Sequence, residues 1–305
     1  MATDLEHLST AQRWMLGARP RTLPAAAAPV VVGIGVALLS EGRLERPLAA
    51  LIAALCAVLI QIGANLVNDV ADFEKGTDTA ERLGPVRVTQ AGLLSARQVW
   101  AGVFTTFGLA VLGGLYLAWV GGWPIVAIGL ACIAAAFIYT VGPYSLSDKG
   151  LGDIFVFIFF GLVGVCGTVY LLTGQLPAVA WWSGAGVGAL TTAILVVNNV
   201  RDIATDRQAG RRNLPVVFGR RAGEWEFIAL LAVGYLTPLA ILALKLSGFS
   251  ILAVFLTLPY AIQLTRRFIA APASPAMNAV LGQAAQLVLF YSLALGIGLA
   301  LSGWF

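Results

Sequence analysis

Long apolar stretches separated by short polar loops make up most of this chain. A run of about 17–25 apolar residues can cross a membrane as an α-helix. Nine stretches follow this pattern, of which the eighth is short for a full span; they are Thr22–Leu39, Pro47–Val67, Val99–Val120, Pro124–Val141, Leu151–Leu172, Ala178–Val197, Phe227–Leu244, Phe249–Leu264 and Ala279–Leu301. The pattern predicts an all-α, polytopic membrane bundle of nine transmembrane helices. We expect one domain over residues 1–305, beginning with a polar N-terminal tail at residues 1–17.

Basic residues fall mainly on one side of this predicted bundle. If the nine spans alternate in direction, sixteen of the nineteen Lys and Arg residues lie on the side of the N-terminus. Cytoplasmic loops of membrane proteins carry an excess of Lys and Arg. The sequence therefore predicts a cytoplasmic N-terminus and a C-terminus outside.

The composition narrows the class of protein further. Apolar residues are 59% of the chain and charged residues 11%, with a mean hydropathy of +0.87, whereas soluble domains have about 25% charged residues. This excludes a soluble globular enzyme, and the net charge of +4 reflects topology and contact with membrane lipid, so no nucleic-acid partner is expected. The single histidine, His7, lies in the tail, which argues against histidine-based triads and metal sites.

Two acidic clusters lie where predicted spans reach the cytoplasmic side. Asn65, Asn68, Asp69 and Asp72 have the spacing of one helical face, and Asp78 follows them. The second cluster has the same spacing and consists of Asn198 or Asn199, Asp202 and Asp206. The clusters, at residues 65–78 and 198–210, are about 130 residues apart and each has a glycine four residues after an aspartate. They therefore indicate a possible internal repeat.

Carboxylates on one helical face suit a hard cation. Mg²⁺ binds through one or two carboxylates and keeps positions for water and phosphate oxygens. Two such faces across a cavity would hold two ions on one pyrophosphate, and loop arginines, namely Arg87, Arg201, Arg207, Arg211 and Arg212, are suited to its oxygens. The alternative is that the acids are solvated helix ends and that the arginines only set topology.

These motifs resemble those of the UbiA superfamily of intramembrane prenyltransferases. The D-x-x-x-D motif of that family is intact at Asp202–Asp206, while the first motif has Gly76 at its last acidic position and Asp78 two residues later. That departure is similar to the branch that prenylates 1,4-dihydroxy-2-naphthoate. Further short matches to this branch lie at Ala18–Pro24, Gly84–Arg87, Thr89–Gly92, Tyr139–Tyr144, Leu151–Gly161 and Asn198–Asp202.

The resemblance implies nine helices around a central cavity with a cytoplasmic cap, in the bacterial cytoplasmic (inner) membrane. It implies Mg²⁺-dependent transfer of a polyprenyl group, with two ions bridging the pyrophosphate. The donor would be a polyprenyl pyrophosphate and the acceptor 1,4-dihydroxy-2-naphthoate, which would lose CO₂ and give demethylmenaquinone in menaquinone biosynthesis. A related enzyme with another acceptor, such as 4-hydroxybenzoate, remains an alternative.

The same resemblance suggests residue roles. The metal ligands would be Asn68, Asp72, Asp78, Asp202 and Asp206, and the phosphate partners Arg87, Arg201 and Arg212. The substrate-binding set adds Asn65, Asp69 and Asn199, with Tyr139, Lys149 and Asp153 at the acceptor. For Asp69 the alternative is a capping or orienting role, and for Lys149 with Asp153 an ion pair.

A transporter with an internal repeat is the hypothesis from a different class of protein. Transporters place ion ligands and broken helices near the middle of the membrane. The cores of the predicted spans hold polar residues such as Gln61, Gln283 and Gln286, and charges occur only near their ends. This distribution favours an enzyme with its site at the inner edge of the membrane.

Overall fold

The chain folds into a helical bundle in the computed structural model, which describes residues 7–77, 83–142 and 145–302. Within these ranges nine helices are long and apolar enough to cross a membrane, and there is no strand. We number them α1 (Leu23–Glu41), α2 (Pro47–Glu74), α3 (Ala96–Gly121), α4 (Trp123–Thr140), α5 (Gly152–Thr173), α6 (Ala178–Arg201), α7 (Arg220–Ala243), α8 (Phe249–Ala270) and α9 (Met277–Ser302). The predicted architecture is therefore confirmed.

Several helices extend beyond their apolar cores on the side of the acidic motifs. Helix α2 continues to Glu74 and α6 to Arg201, so both carry polar residues past the predicted ends at Val67 and Val197. Helix α7 begins at Arg220, seven residues before the predicted start. Hydropathy marks only the part of a helix that is apolar, whereas backbone hydrogen bonding continues through the polar ends.

The N-terminal segment is more ordered than the predicted polar tail. A helix over Thr10–Ala18 begins with a capping box formed by Ser9 and Gln12. Trp14 of this helix packs against the core that α2 and α3 share. The segment ends at Arg19, whose φ of 53° lies in the left-handed region, and a short 3₁₀ turn then leads into α1.

Glycines let several helices of the bundle approach one another closely. A Cβ atom on Gly35 of α1 would clash with the backbone of Gly296 in α9. Gly161 lies in a π-helical stretch of α5, and a Cβ atom there would clash with the backbone of Gly184 and Gly188 in α6. Small residues at helix interfaces in membranes permit this backbone-to-backbone packing.

The two acidic motifs lie at the same end of the bundle as the start of α1. The carbonyl oxygen of Ala18 accepts a hydrogen bond from Asn65 of the first motif. The end of α9 lies at the opposite end, where Ser302 contacts Ser247 and Ser250 at the loop between α7 and α8. The candidate site is thus a cap over one end of the bundle.

Candidate active site

A cavity of about 560 Å³ is lined by α1 to α6 and by the loops at one end of the bundle. Most of its wall is apolar, whereas its capped end is polar. The residues that line the polar end are Asn68, Asp72, Arg87, Asn198, Asn199, Arg201, Asp202, Asp206, Arg211 and Asn213. Residues of both acidic motifs therefore face one cavity.

Asp72 is the acid of the first motif that faces the cavity. Its side chain is 5% exposed and lies in the last turns of α2. One carboxylate oxygen lies 2.9 Å from Nη2 of Arg87, and the other lies 3.4 Å from Nη2 of Arg211. Two arginines therefore neutralise this buried carboxylate, which would otherwise carry a large desolvation cost.

Asp69 turns away from the cavity and organises a loop. It is fully buried and accepts hydrogen bonds from the backbone nitrogens of Val88 and Thr89, each at 2.9 Å. These contacts fix the chain next to Arg87, and so they place the guanidinium of Arg87 beside Asp72. Of the two roles considered from the sequence, this geometry favours the orienting role for Asp69.

The two asparagines of the first motif make different contacts. Asn68 lines the cavity, and its side-chain oxygen accepts a hydrogen bond from Thr140 at the end of α4. Asn65 donates to the carbonyl oxygen of Ala18 at 3.0 Å and to Oγ1 of Thr22 at 3.2 Å. Asn65 thus connects the N-terminal segment to α2, while Asn68 lies at the polar end of the cavity.

The second motif begins where α6 ends. Asp202 follows the last residue of α6, and a short helix over Ile203–Gln208 continues the chain. Arg201 is 2% exposed and binds both oxygens of Asp202, at 2.8 and 2.6 Å. Its remaining terminal nitrogen donates to Asn278 of α9 at 2.7 Å. The guanidinium of Arg201 is therefore fixed on both sides.

Asp206 is held in the cap by two partners. One oxygen accepts from Nδ2 of Asn213 at 2.8 Å, and the other lies 3.1 Å from Nη1 of Arg211. Burial raises the pKa of Asp206 above its ordinary value, and repulsion by Asp202 adds to this, although Arg211 and Asn213 oppose the shift. A nearby cation therefore stabilises the charged form of this acid.

Arg211 joins the two motifs. Its guanidinium contacts Asp72 from the first motif, Asp206 from the second, and Asp148 in the loop between α4 and α5. Burial alone would lower the pKa of Arg211, but the three carboxylates outweigh it and raise that pKa. The side chain is thus a fixed positive charge at the point where the motifs meet.

The structure brings most of the predicted residues to the cavity wall but leaves three aside. Arg212 and Lys149 are exposed and, like Asp69, do not line the cavity. Asp78 lies outside the described residues. Tyr139 and Asp153 line the cavity next to the second motif, and Nδ2 of Asn199 lies 3.4 Å from Asp153.

Sequence reasoning missed four polar residues of the site. Arg211 stood among the loop arginines, but Arg212 was preferred to it. Asn213, Asp148 and Asn278 belong to no motif. Only Asn213 carried a local signal, because an asparagine before Leu-Pro is a typical helix N-cap, and it does cap the helix at Leu214–Phe218. The other positions depend on contacts between segments distant in sequence.

The donor atoms at the polar end suit Mg²⁺. Among the described residues no three His, Cys, Asp or Glu side chains form a metal-binding group. The polar end instead offers separate carboxylates of Asp72, Asp202 and Asp206 and the amide of Asn68, with no histidine or cysteine among them. Oxygen donors in small number, with positions left for phosphate oxygens, match the coordination that Mg²⁺ adopts. The residues present therefore fit this ion.

Comparison with known proteins decides the family. Residues 26–294 match the UbiA prenyltransferase family. The chain belongs to this family. A 1,4-dihydroxy-2-naphthoate octaprenyltransferase from Mycobacterium tuberculosis is 40% identical to this UbiA prenyltransferase over 76% of the chain and 78% of the relative. A protein of the same name from Mycobacterium leprae is 34% identical over 95% of the chain and 97% of the relative.

Solved structures share the fold of this UbiA prenyltransferase. A UbiA homologue from Archaeoglobus fulgidus bound to DMAPP and Mg²⁺ superimposes with a TM-score of 0.65, at 17% identity, over 93% of this chain and 98% of that chain. An apo UbiA homologue from Aeropyrum pernix gives a TM-score of 0.65 at 17% identity, over 90% and 96%. At this level of identity the likeness concerns the fold alone.

Proposed function

We propose that this protein transfers a polyprenyl group from an allylic pyrophosphate to 1,4-dihydroxy-2-naphthoate with loss of CO₂. The product is the quinol form of demethylmenaquinone. The observation that carries the proposal is the pairing of two acidic motifs with arginines at the polar end of an apolar cavity. Relatives named for this reaction that align with three quarters or more of the chain support the choice of acceptor.

The polar end suits the pyrophosphate of the donor. Asp72, Asp202, Asp206 and Asn68 would hold Mg²⁺, and we expect two ions as in the sequence analysis. When bound, Mg²⁺ supplies positive charge to the pyrophosphate oxygens as the C–O bond to the prenyl group breaks. Arg87 and Arg211 both contact Asp72, and their guanidinium groups are suited to add fixed positive charge beside the departing group.

The apolar wall protects the allylic carbon. Water would capture an allylic cation, and a cavity lined mainly by aliphatic and aromatic side chains excludes it. Phe155 and Phe159 lie on this wall with ring centroids 4.4 Å apart. Their π faces stabilise positive charge. The ring carbon of the naphthoate that bears the carboxylate then bonds to the prenyl group, and the electrons of the lost carboxylate return to the ring.

The acceptor belongs beside the second motif. The ring of Tyr139 contacts that of Phe155, with centroids 6.0 Å apart and planes inclined at 39°, and both border the cavity with Asp153. A flat aromatic diol is suited to pack against these rings, and the Asp153 carboxylate is suited to accept a hydrogen bond from its hydroxyl group. We keep Asn199 as the partner that orients Asp153 and assign Lys149 no contact with the acceptor. We place the capped end in the cytoplasm, since Arg and Lys are concentrated there.

A prenylation assay with the purified protein tests this function. In detergent with Mg²⁺ and octaprenyl pyrophosphate, we expect mass spectrometry to detect the prenylated naphthoquinol and released CO₂ with 1,4-dihydroxy-2-naphthoate. Chelation of Mg²⁺ should stop the reaction, and its return should restore it. A matched assay with 4-hydroxybenzoate is the control. Turnover of 4-hydroxybenzoate without turnover of the naphthoate would refute the proposed acceptor.

A further inference from the structure

Asp148 lies outside both acidic motifs, yet it contacts the arginine that joins them. One of its oxygens lies 3.1 Å from Nε of Arg211. The two terminal nitrogens of the same guanidinium point to Asp206 at 3.1 Å and to Asp72 at 3.4 Å. Since a guanidinium is rigid and planar, a partner on the Nε edge fixes the direction of the other two nitrogens. Asp148 thus determines the orientation of the two terminal nitrogens of Arg211.

The orientation of Asp148 is itself fixed. Ser145 donates a hydrogen bond to one oxygen of Asp148, and Nζ of Lys75 lies 3.5 Å from the same oxygen. The hydrogen bond and the two cations lower the pKa of Asp148 in spite of the opposing effect of burial. Lys75 in turn donates to the carbonyl oxygen of Thr140. The carboxylate is therefore held as an anion in one direction.

The backbone joins the two loops without this side chain. The nitrogen of Arg212 donates to the carbonyl oxygen of Asp148 at 3.1 Å. Gly150 has a φ of +75° and lies so close to the carbonyl of Arg212 that a Cβ atom would clash. Because these contacts involve only backbone atoms, removal of the Asp148 charge should leave the loops together and free only the guanidinium.

The charges around Arg211 are balanced before any substrate binds. Three acids, Asp72, Asp206 and Asp148, face three bases, Arg87, Arg211 and Lys75, of which Asp148 contacts two. Without Asp148, the carboxylates that contact Arg211 among the described residues would be Asp72 and Asp206, at its two terminal nitrogens. The Nε edge would then have no carboxylate to set the angle at which the second N–H group of each terminal nitrogen faces the cavity.

We propose that Asp148 is a positioning residue that holds Arg211 by its Nε edge and so turns the second N–H group of each terminal nitrogen, which Asp72 and Asp206 do not use, toward the pyrophosphate of the donor. The inference rests on the proposed function for the identity of the donor. It assigns no contact between Asp148 and the substrate. Its effect should therefore appear in donor binding and disappear when Arg211 is absent.

Binding of inorganic pyrophosphate with Mg²⁺, measured by calorimetry in detergent without acceptor, tests this role. For Asp148→Asn we expect about tenfold weaker binding and a similar rise in KM for the prenyl pyrophosphate, as for the loss of one charge-assisted hydrogen bond. The KM for the naphthoate should not change. Asp148→Glu should recover part of the affinity.

Glu224→Gln is the matched control, because Glu224 also pairs with the Nε of an arginine, Arg220 at 2.7 Å, but away from the cavity. It should bind pyrophosphate as the unaltered protein does. In an Arg211→Gln background, Asp148→Asn should add almost nothing.

Three results would overturn the positioning role. They are additive losses in the double variant, an equal loss in Glu224→Gln, and failure of Asp148→Asn to fold as judged by thermal unfolding. Absence of pyrophosphate binding by the unaltered protein would overturn it too. Pyrophosphate binding without naphthoate turnover would instead refute the proposed function and leave this role standing.

Discussion

The two acidic motifs use the same residue types but differ in how their acids are employed. In the first motif the helix continues unbroken through both aspartates, and only Asp72 faces the cavity, because Asp69 binds backbone nitrogens of the next loop. In the second, the helix stops at Asp202, and both Asp202 and Asp206 border the cavity. In the unbroken helix the two acids have different roles, whereas at the helix break both acids border the cavity.

The arginine partners differ in the same way. Arg87 reaches Asp72 from a loop that Asp69 holds in place. Arg201 is the immediate neighbour of Asp202 and needs no loop to reach it. The arginine that pairs with the first motif therefore comes from a separate loop. The arginine that pairs with Asp202 is its neighbour in the chain.

Neutralising one cavity-facing acid in each motif should have the largest effect. For Asp72→Asn and for Asp206→Asn we expect kcat/KM to fall by about a thousandfold, as when a preorganised electrostatic group is lost from an active site. Initial rates of naphthoate prenylation measure this, with circular dichroism to verify folding. Near-normal rates in either variant would show that its motif is not needed for the chemistry.

Substitution of each of two neighbouring arginines tests whether both motifs depend on the Arg211 guanidinium. Arg211→Gln should lower kcat/KM for the donor by about thirtyfold, since it removes charge-assisted contacts to both motifs. Arg212→Gln is the matched control and should stay close to the unaltered protein, because the Arg212 side chain is exposed. Equal losses in the two variants would contradict the bridging role of Arg211.

Asp69 provides the sharpest contrast with Asp72. Asp69→Asn replaces one acceptor oxygen by a donor, so the nitrogen of Val88 or Thr89 is left unpaired in a buried place. We expect the free energy of unfolding to fall by about 2 kcal/mol, while the folded enzyme loses far less turnover than Asp72→Asn does. Reversible unfolding in detergent and rate assays measure the two effects. Full stability with lost turnover would place Asp69 in the reaction instead.

The smallest expected effect concerns the support of Arg201. Asn278→Ala removes a hydrogen bond to Arg201 and another to the carbonyl oxygen of Leu83. We expect a loss of about 1 kcal/mol in stability and little change in rate, because Asp202 still accepts hydrogen bonds from Nε and Nη2 of the guanidinium. A large loss of turnover would show that the second motif also depends on distant structure.

The sequence predicts the nine helices well because membrane crossing depends on length and hydropathy alone. It also predicts which acids gather at the cap, because helical spacing relates Asn68 to Asp72 and Asp202 to Asp206. It does not distinguish Arg211 from Arg212. The Arg211 side chain lines the cavity, whereas the Arg212 side chain is exposed, and the loop that carries them packs on Gly150 through the carbonyl of Arg212.

Periodicity gives no information about residues that act from other segments. Asp148 becomes part of the site only because two loops meet, and Asn278 only because the last helix passes beside Arg201. In the first motif, the four polar residues share a helical face by spacing, yet Asp69 is drawn aside by the loop that follows. Tertiary contacts therefore give different roles to residues that the sequence places on one helical face.

The contact between α1 and α9 has a consequence for biosynthesis. The first and last spanning helices meet backbone to backbone at Gly35 and Gly296, and Asn278 of the last one supports Arg201. A ribosome delivers α9 only after α1 to α8. During translation α1 therefore lacks its contact with Gly296, and Arg201 its hydrogen bond to Asn278, until α9 has been made. We expect a variant shortened before α9 to leave the Gly35 face of α1 uncovered and to unfold more easily than the intact bundle.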